Sequence, residues 1–178
     1  DMRNMAESSL SAYSNFISVD GSAEDTRLDE RSVDHITVAQ AFHWFDAEKF
    51  RLECQRILKS NGKVVLVWNS RVENSEVVTE NMKICEKLCK SCKGFSGGQE
   101  AEPESFSTFF RDGVCDYRIF ENNLTFDMDS FIGRNLSASY APKQGDANYE
   151  QFVDELANLF IKYSVNGKLI MPNITRSY

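Results

Sequence analysis

Gln40, His43 and Trp44 crowd into one short run, Ala39–Phe45 (AQAFHWF), directly after the β-branched stretch Ile36-Thr37-Val38. An amide, an imidazole and an indole so close together offer hydrogen bonding, proton transfer near neutrality and a ring face for a cation. Their place adds to their types. In open α/β sheets ligands bind beyond the carboxyl ends of the strands, so a polar and aromatic cluster at a strand exit is a candidate site. His35, inside the strand pattern, reads as a partly exposed strand residue. A second grouping, Cys85-x-x-x-Cys89-x-x-Cys92, has the spacing of three thiolates around an iron–sulfur cluster. Val78, Met82, Cys85, Cys89 and Cys92 also recur at steps of four, three, four and three, the seam of one helix face, and small packed cysteines explain that arrangement better than a cluster or a zinc ion.

The elements that must hold these residues follow from periodicity. Met2, Met5, Ala6, Leu10 and Tyr13 predict an amphipathic helix packed on a sheet, and Phe16–Val19 predicts a short strand. Asp34–Ala39 is a second strand and Lys63–Trp68 (KVVLVW) a third. Between these two lies a helix over Ala47–Leu58, with Phe50, Cys54, Ile57 and Leu58 facing inward and Asn61-Gly62 as its closing turn. Strand, helix, strand at this spacing is a βαβ crossover, which implies a parallel pair. Further along, the pattern predicts a long helix over Glu76–Cys92, a mobile Gly- and Glu-rich loop over Lys93–Glu104 and a short helix over Ser105–Arg111. A strand over Cys115–Phe126 comes next, then a helix over Asp127–Ser139 with Asp127 as its cap, a helix over Tyr149–Tyr163 and a final strand over Lys168–Met171 ended by Pro172. At 178 residues with 42% hydrophobic content, one domain over 1–178 is expected. It divides into a core part over 1–75, a helical and loop segment over 76–111, and C-terminal strands over 112–178 that carry a helical cap at 127–165.

The words around the Ala39–Phe45 run complete a pattern. GSAEDTRLDERSVDHI (Gly21–Ile36) precedes it and FRLECQRILKSNGKVVLVWNSR (Phe50–Arg71) follows, and together they resemble the class I S-adenosylmethionine-dependent methyltransferases, most closely the small-molecule branch that carries an AQAFHWF word. The resemblance implies a Rossmann-like α/β sheet with helices on both faces and S-adenosylmethionine as cofactor. It places Ala23 and Glu24 beside the adenine, Met2 on the adenine face, and Gln40, Ala41 and Phe42 along the cofactor. His43 and Trp44 then stand on the catalytic side, His43 as a base and Trp44 as the ring face for the sulfonium. Arg134, Tyr140 and Arg176, in GRNLSASYAP and TRSY, match the substrate side, where Arg134 would suit a carboxylate. Tyr178 belongs to the same closing word. Ser60-Asn61-Gly62 stands where the family carries Pro-Gly-Gly. DMRNMAE matches the helix after the family's second strand, so the glycine-rich first loop and the acidic residue ending that strand are expected upstream, in a longer polypeptide. The helices between the last two strands, which the family joins by a tight hairpin, read as a cap inserted before the last strand.

Composition narrows the partners. A net charge of −7 and a pI near 4.9 oppose a nucleic-acid partner, which would need a basic face. No apolar run approaches the roughly 20 residues that cross a bilayer. Five cysteines, an odd number without disulfide spacing, point to a reducing cytoplasm, and the Asn-x-Ser/Thr triplets at Asn123, Asn135 and Asn173 carry little weight beside that. Catalytic triads, phosphate-loop words and carboxylate metal loops do not occur. The sequence thus points to methyl transfer onto a small molecule without a metal. A non-catalytic scaffold of the same fold is the main alternative, and a radical S-adenosylmethionine enzyme built on Cys85, Cys89 and Cys92 is a weaker one.

Overall fold

The computed structural model describes residues 2–92, 94, 106 and 108–178. Two compact units divide the chain, Asp1–Leu66 and Val67–Tyr178. The fold is α/β, with a sheet that contains a parallel pair.

In the first unit, helix α1 (Met2–Leu10) has the expected apolar spacing but buries no residue, and Met2 is 90% exposed. The expected packing of this helix on a sheet is therefore not made. Phe16–Val19 is irregular rather than a strand. No described strand pairs with it, and an unpaired segment leaves its peptide groups to water instead of to a ladder. The βαβ unit forms as expected from β1 (Val33–Ala39), α2 (Ala47–Ile57) and β2 (Leu58–Arg71). Asp46 starts α2 by accepting from the Lys49 amide at 3.1 Å, and Phe50, Cys54 and Ile57 are its buried stripe. Asn61-Gly62, expected as a turn, lies within the longer strand β2. Gly62 serves a different need there. A Cβ on it would meet the Leu58 side chain at 2.6 Å and the Asp34 carbonyl at 3.0 Å, so its hydrogen permits a close approach of backbones.

In the second unit, the end of β2 (Val67–Arg71) pairs antiparallel with β6 (Asn173–Ser177), and β6 pairs antiparallel with β3 (Arg118–Glu121). Between β3 and β6 the chain inserts β4 (Leu124–Phe126), α4 (Met128–Leu136), α5 (Tyr149–Tyr163) and β5 (Leu169–Met171), with β4 and β5 as an antiparallel pair. Helices α4 and α5 lie in the stretch expected as a cap, 127–165, and the strand expected to be last is β5, which β6 follows. The single strand expected over Cys115–Phe126 is broken at Asn122-Asn123. There the Asn122 amide reaches the Asn173 carbonyl at 2.9 Å, and the Asn123 side chain accepts from the Asn173 amide at 3.2 Å. Pro172 does not end the last strand. It separates β5 from β6, where its missing N–H costs no ladder bond and its carbonyl accepts from Val72 at 3.1 Å.

Helix α3 (Glu76–Leu88) stops four residues short of the expected Cys92, because Cys89 leaves helical geometry and Asn148 Nδ2 takes the Leu88 carbonyl at 3.2 Å. Of the expected loop over Lys93–Glu104 only Gly94 is described, and Ser105 and Ser107 of the expected short helix likewise lie outside the described residues. Phe106 and Phe109 are buried, and the segment continues into a 3₁₀ turn over Arg111–Gly113. Helices α3, α4 and α5 with β5 enclose the main core, which includes Val78, Cys85, Phe131, Phe152, Leu156 and Leu169.

Candidate functional site

Strand β1 delivers the AQAFHWF run to its carboxyl end. Gln40 has φ +55°, a left-handed conformation uncommon for a residue with a side chain, and it turns the chain into a 3₁₀ turn over Phe42–Trp44. The Ala41 carbonyl accepts from the Trp44 amide at 2.9 Å and the Phe42 carbonyl from the Phe45 amide at 3.0 Å. Phe42 is buried edge-on to Phe45 and Phe50, at ring separations of 6.3 and 6.2 Å, and so anchors the turn. With Phe42 inward, His43 and Trp44 point out, their rings 4.7 Å apart and Trp44 80% exposed.

Ala23 and Glu24 occupy a turn closed by the Ser22 and Asp25 backbones. Glu24 Oε1 accepts from the Asp46 amide at 3.0 Å, and that bond chiefly holds its carboxyl below the usual range. The structure therefore brings Glu24 to the residues just after the Ala39–Phe45 run, within one unit. Met2 stays on the exposed surface of α1.

Glu53, which sequence reasoning missed, completes the arrangement. Only 7% exposed, it accepts from the Thr26 amide at 2.9 Å and the Thr26 hydroxyl at 2.5 Å, while Arg56 donates to both of its oxygens at 2.8 Å. The Arg56 bonds first, and the Thr26 bonds after them, hold its carboxyl at about 2 against the cost of burial. Helix α2 thus grips the turn before β1 at two places. Its cap amide holds Glu24 and its buried acid holds Thr26. An acid within the inward Phe50, Cys54, Ile57 stripe was the available signal, since such a group needs a partner.

The residues expected on the substrate side belong to the second unit. Arg134, on the exposed side of α4, sets its guanidinium 5.8 Å from the Phe126 ring centre. Tyr140 is half-buried, and burial pushes its hydroxyl up to about 12. Both act on Arg71 at the end of β2, a residue that sequence reasoning did not single out. Burial pulls the Arg71 guanidinium down first, the Arg134 cation adds to this, and Tyr140 opposes it. Arg176, on β6, donates to the Tyr117 hydroxyl at 3.2 Å, and Tyr178 packs its ring against Phe106 and Tyr117. Cys85 and Cys89 are buried, with the Cys85 thiol raised to about 12 by desolvation, which opposes a thiolate ligand. Among the described residues no group of three or more His, Cys, Asp or Glu is placed to hold a metal ion.

The sequence profile of a methyltransferase domain matches residues 1–66, the stretch that contains β1, α2 and the aromatic turn. An uncharacterised methyltransferase-like protein of Schizosaccharomyces pombe is 39% identical over 138 residues, 77% of this chain and 54% of its own. The chain is similar to the methyltransferases. Another S. pombe protein, an uncharacterised methyltransferase, is 42% identical over 74 residues, 42% of this chain and 28% of its own. Among solved structures, a candidate type II methyltransferase from Anaeromyxobacter dehalogenans superposes with a TM-score of 0.60 at 19% identity, over 88% of this chain and 67% of that one, and shows the shared fold. The chain spans about half the length of the first S. pombe relative and less of the second.

Proposed function

We propose that this protein transfers a methyl group from S-adenosylmethionine to a small-molecule acceptor. The observation that carries the reading is the Glu24 carboxylate, held ionised against the Asp46 amide beside the Phe42–Trp44 turn. That donor set fits the cofactor. An ionised carboxylate with a neighbouring backbone suits the hydrogens of an adenine amine or a ribose, and exposed aromatic faces suit a sulfonium. Ala23 and Glu24 hold the adenine end, with Met2 on its face. The Gln40 and Ala41 backbone, fixed by buried Phe42, lies along the rest. The sulfonium supplies an already activated methyl group, so the protein's task is in-line alignment.

On the acceptor side, Trp44 offers a ring face to positive charge and His43 takes the proton from an acceptor hydroxyl. No described helix is long and apolar enough to cross a membrane, and all five cysteines are free, which supports a place in the reducing cytoplasm.

A second reading, a scaffold without turnover, is favoured by one observation: α1 buries no residue and leaves Met2 open. Calorimetric titration of S-adenosylmethionine and its demethylated product into this chain separates the two. Saturable binding supports the enzyme, and no binding by the folded protein supports the scaffold.

A further inference from the structure

The chain leaves helix α3 through a pair of thiols that methyl transfer does not use. Cys89, the C-cap, has extended backbone geometry, and its carbonyl accepts from the Cys92 amide at 3.3 Å. That bond closes the turn Cys89-Lys90-Ser91-Cys92. Such a turn keeps its outer Cα atoms within about 7 Å, and a disulfide needs them roughly 4.4–6.8 Å apart. Both thiols lie on the inward side of the turn, since Cys89 belongs to the main core and Cys92 packs against it. Neither is in a disulfide. Cys85, one helical turn earlier, is placed otherwise: it is fully buried, and its Sγ faces Asn81 Oδ1 at 4.0 Å. Among the described residues no third group joins the pair to make a metal site.

The two thiols differ in access. Cys92 is half-buried, whereas Cys89 is buried, and burial raises the Cys89 thiol above its ordinary range. An oxidant therefore meets Cys92 first, with Cys89 as the second thiol at hand. One open thiol three residues from one covered thiol, across a closed turn, is the arrangement of an oxidised and a resolving cysteine. The surroundings leave room for the sulfurs to move. Cys89 lines a cavity of about 180 Å³ together with Leu88, Tyr140 and Asn148. Asn148 Nδ2 holds the Leu88 carbonyl at 3.2 Å, so the end of α3 stays tied while the turn beyond it rearranges.

We propose that Cys92 and Cys89 form an oxidative modification site, at which a hydroperoxide closes a disulfide across the turn. It stands independently of the methyltransferase reading. The Cys92 thiolate attacks a peroxide oxygen, the O–O bond breaks and hydroxide leaves, so Cys92 becomes a sulfenic acid. Cys89 then gives up its proton, its sulfur attacks the Cys92 sulfur, and the S–O bond breaks with loss of hydroxide. In sum, two thiols and one hydrogen peroxide give one disulfide and two waters, with two electrons passing from sulfur to peroxide. Trypsin separates the cysteines, placing Cys85 on Ile84–Lys87, Cys89 on Leu88–Lys90 and Cys92 on Ser91–Lys93. The experiment treats the full chain with hydrogen peroxide, folded and in urea, then blocks remaining thiols with N-ethylmaleimide under denaturing conditions and reads the peptides by mass spectrometry. In the folded chain two of the five cysteines should lose their N-ethylmaleimide adducts, with Leu88–Lys90 joined to Ser91–Lys93 as the main link, released by dithiothreitol. In urea that link should be one among several. Cys89→Ser should stop at a Cys92 sulfenic acid that dimedone traps, and Cys92→Ser should leave Cys89 unmodified. Absence of the link, a main link through any other cysteine or between chains, or Cys92 carried to the sulfinic acid with Cys89 still open to N-ethylmaleimide overturns the proposal. So does a share of this link no greater in the folded chain than in urea, because the fold would then not be what brings the two sulfurs together.

Discussion

The two units hold themselves together by different means. In Asp1–Leu66 the buried apolar side chains are Val38, Phe42, Phe50, Cys54, Ile57 and Leu66, all from the βαβ segment and its exit turn, and nothing in residues 2–32 is buried. The turn that carries Ala23 and Glu24 is located instead by polar ties, Glu24 to the Asp46 amide and Glu53 to Thr26. In Val67–Tyr178 three helices and the β4–β5 strand pair enclose a continuous apolar cluster around Phe152 and Leu156. The stretch matched by the methyltransferase profile is thus the one with the thinner core. Hydrophobic burial is non-directional and fixes packing, whereas a few directional hydrogen bonds can fix one carboxylate without burying its loop.

The largest expected effect tests the apolar half of this contrast. Phe152, fully buried on α5, leaves a cavity when truncated, so Phe152→Ala should lower stability by about 3–5 kcal/mol in urea denaturation. A loss under about 1 kcal/mol would show that the cluster does not hold the second unit together. Next comes the polar half. Glu53→Gln keeps the shape but opposes Arg56 with an amide, and should cost about 1–3 kcal/mol while speeding hydrogen exchange at the Thr26 amide and not at Phe152. The same carboxylate sets a pH dependence. Its folded value is depressed to about 2, so its contribution is complete above the ordinary carboxylate range and disappears as pH falls through that range toward 2. Thr26 exchange that rises across this acid window in wild type, and stays flat in Glu53→Gln, is the expected signature.

The same contrast explains what was legible beforehand. Helix α5 was readable to the residue, Tyr149–Tyr163, because a wide apolar stripe repeated at helical spacing is both the sequence signal and the physical cause of burial. The α2 stripe and the exit of β1 into AQAFHWF were readable for the same reason. Phe16–Val19 has strand-like residues, but a strand exists only with a partner, and partnership is not written in a local window. Pro172 and Asn122-Asn123 were misplaced because the same residues can end a strand or join two. Arg71, Asn81 and Glu53 come from β2, α3 and α2, and only the tertiary structure shows what each one faces. An acid at 53 and an amide at 81, each in an inward register, were the available hints.

A smaller effect bears on where α3 ends. Asn148 donates to the Leu88 carbonyl, an acceptor that the helix itself leaves unsatisfied, and Asn148→Ala should cost about 1 kcal/mol, read by urea denaturation. If stability is unchanged, water replaces the amide at that carbonyl, and the helix end is set by the extended backbone of Cys89 alone.

Trp44 gives the smallest effect on stability and the sharpest division between holding the fold and serving the site. At 80% exposure the indole buries little surface, and its ring contact is to His43, itself exposed. Trp44→Ala should therefore shift stability by less than about 0.5 kcal/mol. Phe42, two residues earlier in the same turn, is buried against Phe45 and Phe50, so Phe42→Ala should damage the turn itself. A large apolar ring held in water by a well-anchored turn lowers no folding free energy, and under the proposed methyl transfer its use is as the face that meets the sulfonium. The decisive comparison is cofactor binding and turnover in Trp44→Ala and His43→Ala. Turnover lost with binding retained puts these side chains at the acceptor side, and unchanged turnover in both variants removes them from the chemistry.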